Sequence, residues 1–219
     1  ANAQVDSIPQ KLDEYLLAAN KVNRFNGNAL IAEKGKILLQ KSYGYKKFAT
    51  HVLNDSNTIF QIGSITKQFT ATVILKLQEE GKLSVNDKLD TYFPQFKYAH
   101  EITIENLLTH TSGIYNYTND IDAGDSAIVC NPADKQLVLD IMFKHKLDFK
   151  PGTQFRYDNS GYYLLGLIIE KVTGKPYEQN VRDIIFKPLQ MNHSLFDFKH
   201  SSDTDIATGY QILSGSIQK

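Results

Sequence analysis

Ser64-Ile65-Thr66-Lys67 sets a hydroxyl three residues ahead of an amine, at the start of a strongly apolar stretch. Three residues is nearly one helical turn, so Lys67 Nζ can reach Ser64 Oγ if a helix begins there. A serine hydroxyl is a poor nucleophile until a base removes its proton. A lysine in a largely desolvated site can lose its own proton and act as that base. The helix N-terminus adds free backbone N–H groups and a partial positive charge, which suit an oxyanion forming at an attacked carbonyl. Alone the motif is weak. A second copy, Ser216-Ile217-Gln218-Lys219, closes the chain with no helix after it, and a plain N-cap serine with a solvated lysine reads the same way.

Tyr157-Asp158-Asn159 is the second constellation, placed directly before another apolar helical stretch. A phenol in an electropositive pocket can ionise below its usual value of about 10 and accept the serine proton. Asn159 offers both a donor and an acceptor, as needed to grip a substrate amide and hold Lys67. Asp158 is expected to point outward, because a carboxylate turned inward would raise the lysine and tyrosine pKa values and blunt catalysis. Tyr117-Thr118-Asn119 repeats the Tyr-x-Asn spacing without that context. A loop tyrosine that merely caps the helix is the alternative reading of Tyr157.

These side chains need a frame. Ile8, Leu12, Tyr15, Leu16 and Val22 predict a helix over residues 8–25. Residues 28–33 and 36–40 flank Lys34-Gly35 and predict a β-hairpin. Thr58 to Ile62 reads as a further short extended segment. From Gly63 and Ser64 a helix is expected to Glu80, stopped by Gly81 and apolar on more than one face, hence buried on most sides. Short helices are expected near 104–108 and 136–143, a turn at Pro151-Gly152, and a second strong helix from Ser160 to Gly174. Helical spacing resumes after Pro176, which a first turn tolerates. The tail from Phe196 is polar.

Composition narrows the function. Lysine plus arginine equals aspartate plus glutamate at 24 each, so there is no electrostatic reason to expect a nucleic acid or an anionic membrane as partner. No apolar run approaches the roughly 20 residues of a membrane-spanning helix. Cys130 is the single cysteine, and the six histidines show no i,i+4 pair; no internal disulfide can form and no zinc site or other cofactor is expected. Ala1-Asn2-Ala3 fits the small-x-small pattern near a signal-peptide cleavage site, which predicts an exported bacterial protein, periplasmic or secreted.

Three blocks in this order carry a resemblance. Residues 60–70, from Phe60 to Thr70, resemble the nucleophile segment of the serine β-lactamase and penicillin-binding-protein superfamily: class C β-lactamases, D,D-peptidases, D-aminopeptidases and family-eight esterases. Residues 107–114 resemble its "LLTHTSG" segment, and residues 151–166 its Tyr-x-Asn block, where the middle residue is more often serine or alanine than aspartate. Residues 188–191 resemble a further marker. The resemblance runs from about residue 20 to the end. It implies an α+β fold of the α/β sandwich type, an antiparallel β-sheet flanked by helices with a mostly helical subdomain. It implies Ser64 as acylated nucleophile, Lys67 as its base partner, Tyr157 as shared general base and acid, and Asn159 as a substrate contact. His110 and Ser112 resemble residues that shape the loop near the site and are read as structural.

The superfamily's third element, Lys-Thr-Gly or His-x-Gly on a strand beside the nucleophile, has no equivalent here: Val172-Thr173-Gly174 ends a helix, and Ala207-Thr208-Gly209 lies too early and lacks the cation. The expectation is therefore a single catalytic domain incomplete at its C-terminus, with residues 1–63 holding the first helix and strands, 64–195 mainly helical, and 196–219 starting the next segment. Such a fragment is expected to be inactive alone and to need a C-terminal remainder of the same protein. The substrate is expected to be a small molecule or peptide: a β-lactam, a D-Ala-D-Ala peptide (the D-alanyl-D-alanine carboxypeptidase reaction), a D-amino-acid peptide or a small ester. The rival reading is a non-catalytic penicillin-binding-like protein with a binding or regulatory role. Its signature would be loss of Ser64, Lys67 or Tyr157, and all three are present.

Overall fold

A computed structural model describes residues 7–119, 134–196, 204–213 and 216–218. Cys130 and His200 fall outside the described residues. The chain divides into two compact units, residues 1–62 with 195–219, and residues 63–194.

In the first unit, helix α1 (Ile8–Lys21) starts at Ser7, whose Oγ accepts the Gln10 N–H, an N-cap that satisfies one orphan donor of the first turn. It stops at Lys21 rather than running to residue 25. Asn23 turns to φ +55°, and Asn20 Nδ2 donates to Phe25 O at 2.9 Å, so a side chain takes over where the ladder ends. Strands β1 (Gly27–Glu33) and β2 (Lys36–Tyr43) pair antiparallel, Glu33 opposite Lys36 and Gly27 opposite Tyr43, with a bulge between Ile31 and Ala32. Lys34 and Gly35 both have positive φ, as a two-residue turn matched to strand twist requires.

Strands β3 (Tyr45–Lys47) and β4 (Val52–Leu53) form a second short pair, and β5 (Gln211–Leu213) with β6 (Ser216–Gln218) a third. The segment expected to be extended at 58–62 makes one parallel bridge, Ile59 to Ile206. Ser216 of the second Ser-x-x-Lys copy begins a strand, not a helix. Lys46 is buried and ion-paired to both Asp55 and Asp205, tying three distant stretches of this unit together.

The second unit is helical. A 3-10 turn (Gly63–Ile65) leads into α2 (Thr66–Glu79); α3 (Ile104–Leu108), α4 (Lys135–Phe143), α5 (Ser160–Thr173) and α6 (Tyr177–Val181) follow, the last continuing as a π-type turn to Phe186. Gly81 and Gly174, both at φ +68°, close α2 and α5. Helix α5 is the hub, packed against α2, α3 and α6. Its Leu164, Leu165, Ile168 and Ile169 are fully buried. Helix α2 answers with Thr70, Val73, Ile74 and Leu77, one stripe at helical spacing. It is not buried on most sides: Ile65 and Leu75 are more than half exposed, because that single stripe makes the contact with α5 and α6. Among the described residues no helix is long and apolar enough to cross a membrane.

Residues 110–113 are laced to the loop that precedes α5. Thr111 O accepts the Gly152 N–H at 2.9 Å, and Gly113 O accepts the Asp148 N–H at 2.8 Å. Gly113 sits at φ +72°, and a Cβ there would lie 2.1 Å from the Phe149 carbonyl oxygen. Backbone cannot yield as a flexible side chain can. Gly113→Ala should therefore lose about 3 kcal/mol or more of stability, read as a clear fall in the urea midpoint; an unchanged midpoint would refute the close approach.

Candidate active site

Ser64 stands in the middle of the 3-10 turn, one residue before the cap of α2. The expectation of a serine at the helix start holds, with the first turn wound tighter than α. Lys67 lies one turn on, and its Nζ is 3.3 Å from Ser64 Oγ. Tyr157 comes from the loop before α5, and its hydroxyl is 2.7 Å from Ser64 Oγ, a hydrogen bond in which either oxygen can donate. Asn159 caps α5 in position though not by its side chain. Its Oδ1 instead accepts from Lys67 Nζ at 2.8 Å. The four residues singled out by the sequence thus converge on one point.

The amide of Asn159 is fully oriented. Its Nδ2 donates to Thr118 Oγ1 at 3.3 Å, and its backbone N–H donates to Asn116 Oδ1 at 3.1 Å. Ser160 Oγ reaches Tyr115 O at 2.7 Å and accepts the Tyr117 N–H at 2.9 Å. So the loop 115–118 is clamped to the start of α5. Tyr117-Thr118-Asn119, which reads as a chance repeat of the Tyr-x-Asn spacing, supplies the partner that sets Asn159. The available signal was its position four residues after Gly113, in the loop that must return toward the site.

Lys67 Nζ also lies 4.8 Å from the Tyr157 ring centroid and 5.6 Å from that of Tyr162, close enough for a cation to feel the ring faces. Partial burial pushes the Tyr157 phenol up, but the Lys67 ammonium and the bond with Ser64 outweigh it, and the net displacement is downward from 10. A phenol so placed holds its proton less firmly, which is what a base for Ser64 needs.

Asp158 corrects the sequence reading. It points inward, 4% exposed, and its Oδ1 accepts the Gly161 N–H at 2.6 Å. The free N–H groups of the first turn of α5 claim it, since Asn159 is spent on Lys67. Burial raises its pKa from 3.8 to about 6, partly opposed by Gly161 and Lys67, and its charge in turn raises the Tyr157 phenol. Ser112 is buried, with Oγ accepting the Ile114 N–H at 3.2 Å, a structural place as expected.

A cleft of about 720 Å³ opens at Ser64 and runs along α5, lined by Lys67, Thr70, Tyr117, Asn159, Tyr163 and Tyr177 among others. Thr70 Oγ1 and Tyr177 OH bond at 2.7 Å within it. A second cavity of about 640 Å³, in the first unit between Asn20, Phe25, Tyr45 and Tyr210, contains none of the four converging residues. The arrangement at Ser64 can move a proton off a hydroxyl and hold the resulting nucleophile beside a cation.

The family model described as Beta-lactamase matches residues 16–215. The chain is 38% identical over 203 residues to a putative penicillin-binding protein of Bacillus subtilis, covering 93% of this chain and 48% of that protein. It is 34% identical over 208 residues to a teichoic acid D-alanine hydrolase of Staphylococcus aureus, covering 95% and 49%. An octameric penicillin-binding protein homologue from Pyrococcus abyssi superimposes with a TM-score of 0.81 at 32% identity, over 97% of this chain and 50% of that one. The chain spans about half the length of the curated relatives named. The mixed helical and antiparallel fold is that of these neighbours.

The raised Asp158 gives a stability prediction. A carboxyl whose folded pKa lies above its unfolded one favours the fold below about pH 4, and that contribution is lost as pH rises through about 6. Asp158→Asn keeps the Oδ1 acceptor and removes the buried charge. The variant should gain on the wild type between pH 4.5 and 7.5, by on the order of 2 kcal/mol, in urea titrations. A variant that instead loses ground as pH rises would contradict the assignment.

Proposed function

The chain belongs to the β-lactamase family, and on that premise we propose that the protein carrying it is a serine hydrolase working through an acyl-Ser64 intermediate. One observation carries the reading: Ser64 Oγ lies 2.7 Å from the Tyr157 hydroxyl and 3.3 Å from Lys67 Nζ. Tyr157, in the ionised form that the Lys67 ammonium favours, takes the Ser64 proton as Oγ attacks an amide or ester carbonyl. The negative oxygen of the tetrahedral adduct is met by backbone N–H groups at the head of α2. Tyr157 returns the proton to the leaving nitrogen or oxygen, the bond to it breaks, and Ser64 is left acylated. Water, deprotonated by the Tyr157 phenolate that this transfer leaves, then attacks the acyl carbonyl; the bond to Ser64 Oγ breaks, Oγ takes the proton back from Tyr157, and the acid is released. Asn159 orients Lys67 and, once substrate displaces its contact with Thr118, can donate to the acyl carbonyl group next along the substrate.

We place the substrate among peptide amides and small esters ahead of β-lactams, in keeping with relatives named as a penicillin-binding protein and a teichoic acid D-alanine hydrolase. We place the protein outside the bacterial cytoplasm, in the periplasm or secreted, in keeping with a relative named as a teichoic acid D-alanine hydrolase. We further infer that a C-terminal remainder supplies the missing third element and its oxyanion N–H. Losing one such donor costs about 10²–10³ in rate.

Labelled fluorophosphonate and labelled penicillin, followed by peptide mapping, test the reading. The extended protein should carry the label on Ser64, Ser64→Ala should carry none, and Tyr157→Phe should label about 10²-fold or more slowly. The 219-residue chain alone should label far more slowly than the extended protein. A folded, extended protein with no adduct on Ser64 from either probe would favour the binding or regulatory role instead.

A further inference from the structure

We propose that His110 is a positioning residue for Tyr157, holding the phenol over Ser64 through the backbone on either side of it. The inference rests on the hydrolase reading above and adds a residue to it.

Tyr157 is 45% exposed, so packing alone fixes it weakly. His110 is 12% exposed at its side chain and bonds to both of its chain neighbours. Its carbonyl oxygen accepts the Arg156 N–H at 2.9 Å, and its ring Nδ1 accepts the Asp158 N–H at 3.3 Å. The imidazole lies against the phenol itself, with centroids 4.6 Å apart and planes tilted by 38°, and against Tyr162 at 5.1 Å. The backbone at His110 is left-handed, φ +57°, a conformation that costs a non-glycine residue energy and is retained where surroundings impose it. It lets one residue present both its carbonyl and its ring to the same strand of chain.

The contact is conditional on charge. An N–H can donate to Nδ1 only while that nitrogen keeps its lone pair, so the imidazole must be neutral with its proton on Nε2. Protonation would set two donors against each other and release the Asp158 side of the clamp. The titratable groups against the ring are the Asp158 carboxyl, with Oδ2 3.9 Å from Nδ1, and the phenols of Tyr157 and Tyr162, while the Lys67 ammonium acts on it through its charge. Burial and then the Lys67 charge hold the imidazole below its ordinary value, which keeps the clamp closed at neutral pH.

The test is the rate of Ser64 labelling by fluorophosphonate from pH 4.5 to 8 in the extended protein. His110→Ala should label about 10–100-fold more slowly at pH 7.5, the cost of a displaced catalytic group. His110→Asn tolerates the left-handed backbone, and its Oδ1 replaces Nδ1 as acceptor without titrating. It should recover most of the rate and lose the acid limb that belongs to the imidazole. A filler role would leave the pH profile of His110→Asn like the wild type's, and that result overturns the inference, as does a wild-type rate in His110→Ala. If His110→Ala fails to fold, the profile of His110→Asn still decides. No label on wild-type Ser64 would overturn the hydrolase reading itself and this inference with it, so the two failures are told apart.

Discussion

Lys67 Nζ donates to Asn159 Oδ1 at 2.8 Å, and that bond joins the two helices on which the chemistry is built. Helix α2 carries the nucleophile and its amine; helix α5 begins with the asparagine and is preceded by the phenol. Neither helix alone can assemble the site. Their relative placement is set by burial, with Val73, Ile74 and Leu77 of α2 and Leu164, Leu165 and Ile168 of α5 withdrawn from water. Burial of this kind contributes about 1.5–3 kcal/mol per large apolar side chain, far more than any one polar contact at Ser64. The core fixes the helices, and the polar contacts report where they have been fixed.

Around that junction the unit spends its hydrogen bonds on two loops. Residues 110–113 hold the loop that leads to Tyr157, and residues 115–118 hold the head of α5. The division explains why Asp158 turns inward. Asn159 is drawn toward Lys67, so the first-turn N–H groups of α5 take the neighbouring carboxyl as cap. The fold accepts a raised carboxyl pKa and a small upward push on the phenol in exchange for a satisfied helix end. Lys67 outweighs that push.

Much of this was legible in the amino-acid sequence because it was written in local chemistry. Ser64 and Lys67 one turn apart, Tyr157 and Asn159 before an apolar helix, glycines at the ends of α2 and α5, and Lys34-Gly35 between apolar runs all encode their own geometry. What escaped depended on competition between distant groups. The direction of Asp158 is decided by what Asn159 does with Lys67. Thr118 matters only because Asn159 needs a partner for Nδ2. The stop of α1 at Lys21 follows from Asn20 capping Phe25 across a turn. The exposed side of α2 could not be foreseen from its composition, since apolar residues on several faces do not say which face finds a neighbour. The short pair β5 and β6 carries no strong period in its polar stretch.

The account turns on one electrostatic claim, that the Lys67 ammonium lowers the proton affinity of the Tyr157 phenol enough for it to serve Ser64. Titration of the protein with 13C-labelled tyrosine, assigned through Tyr157→Phe, measures that directly. The Tyr157 resonance should titrate below 10, and Lys67→Met should move it upward. A Tyr157 phenol that titrates at or above 10 and does not respond to loss of the lysine would contradict the account.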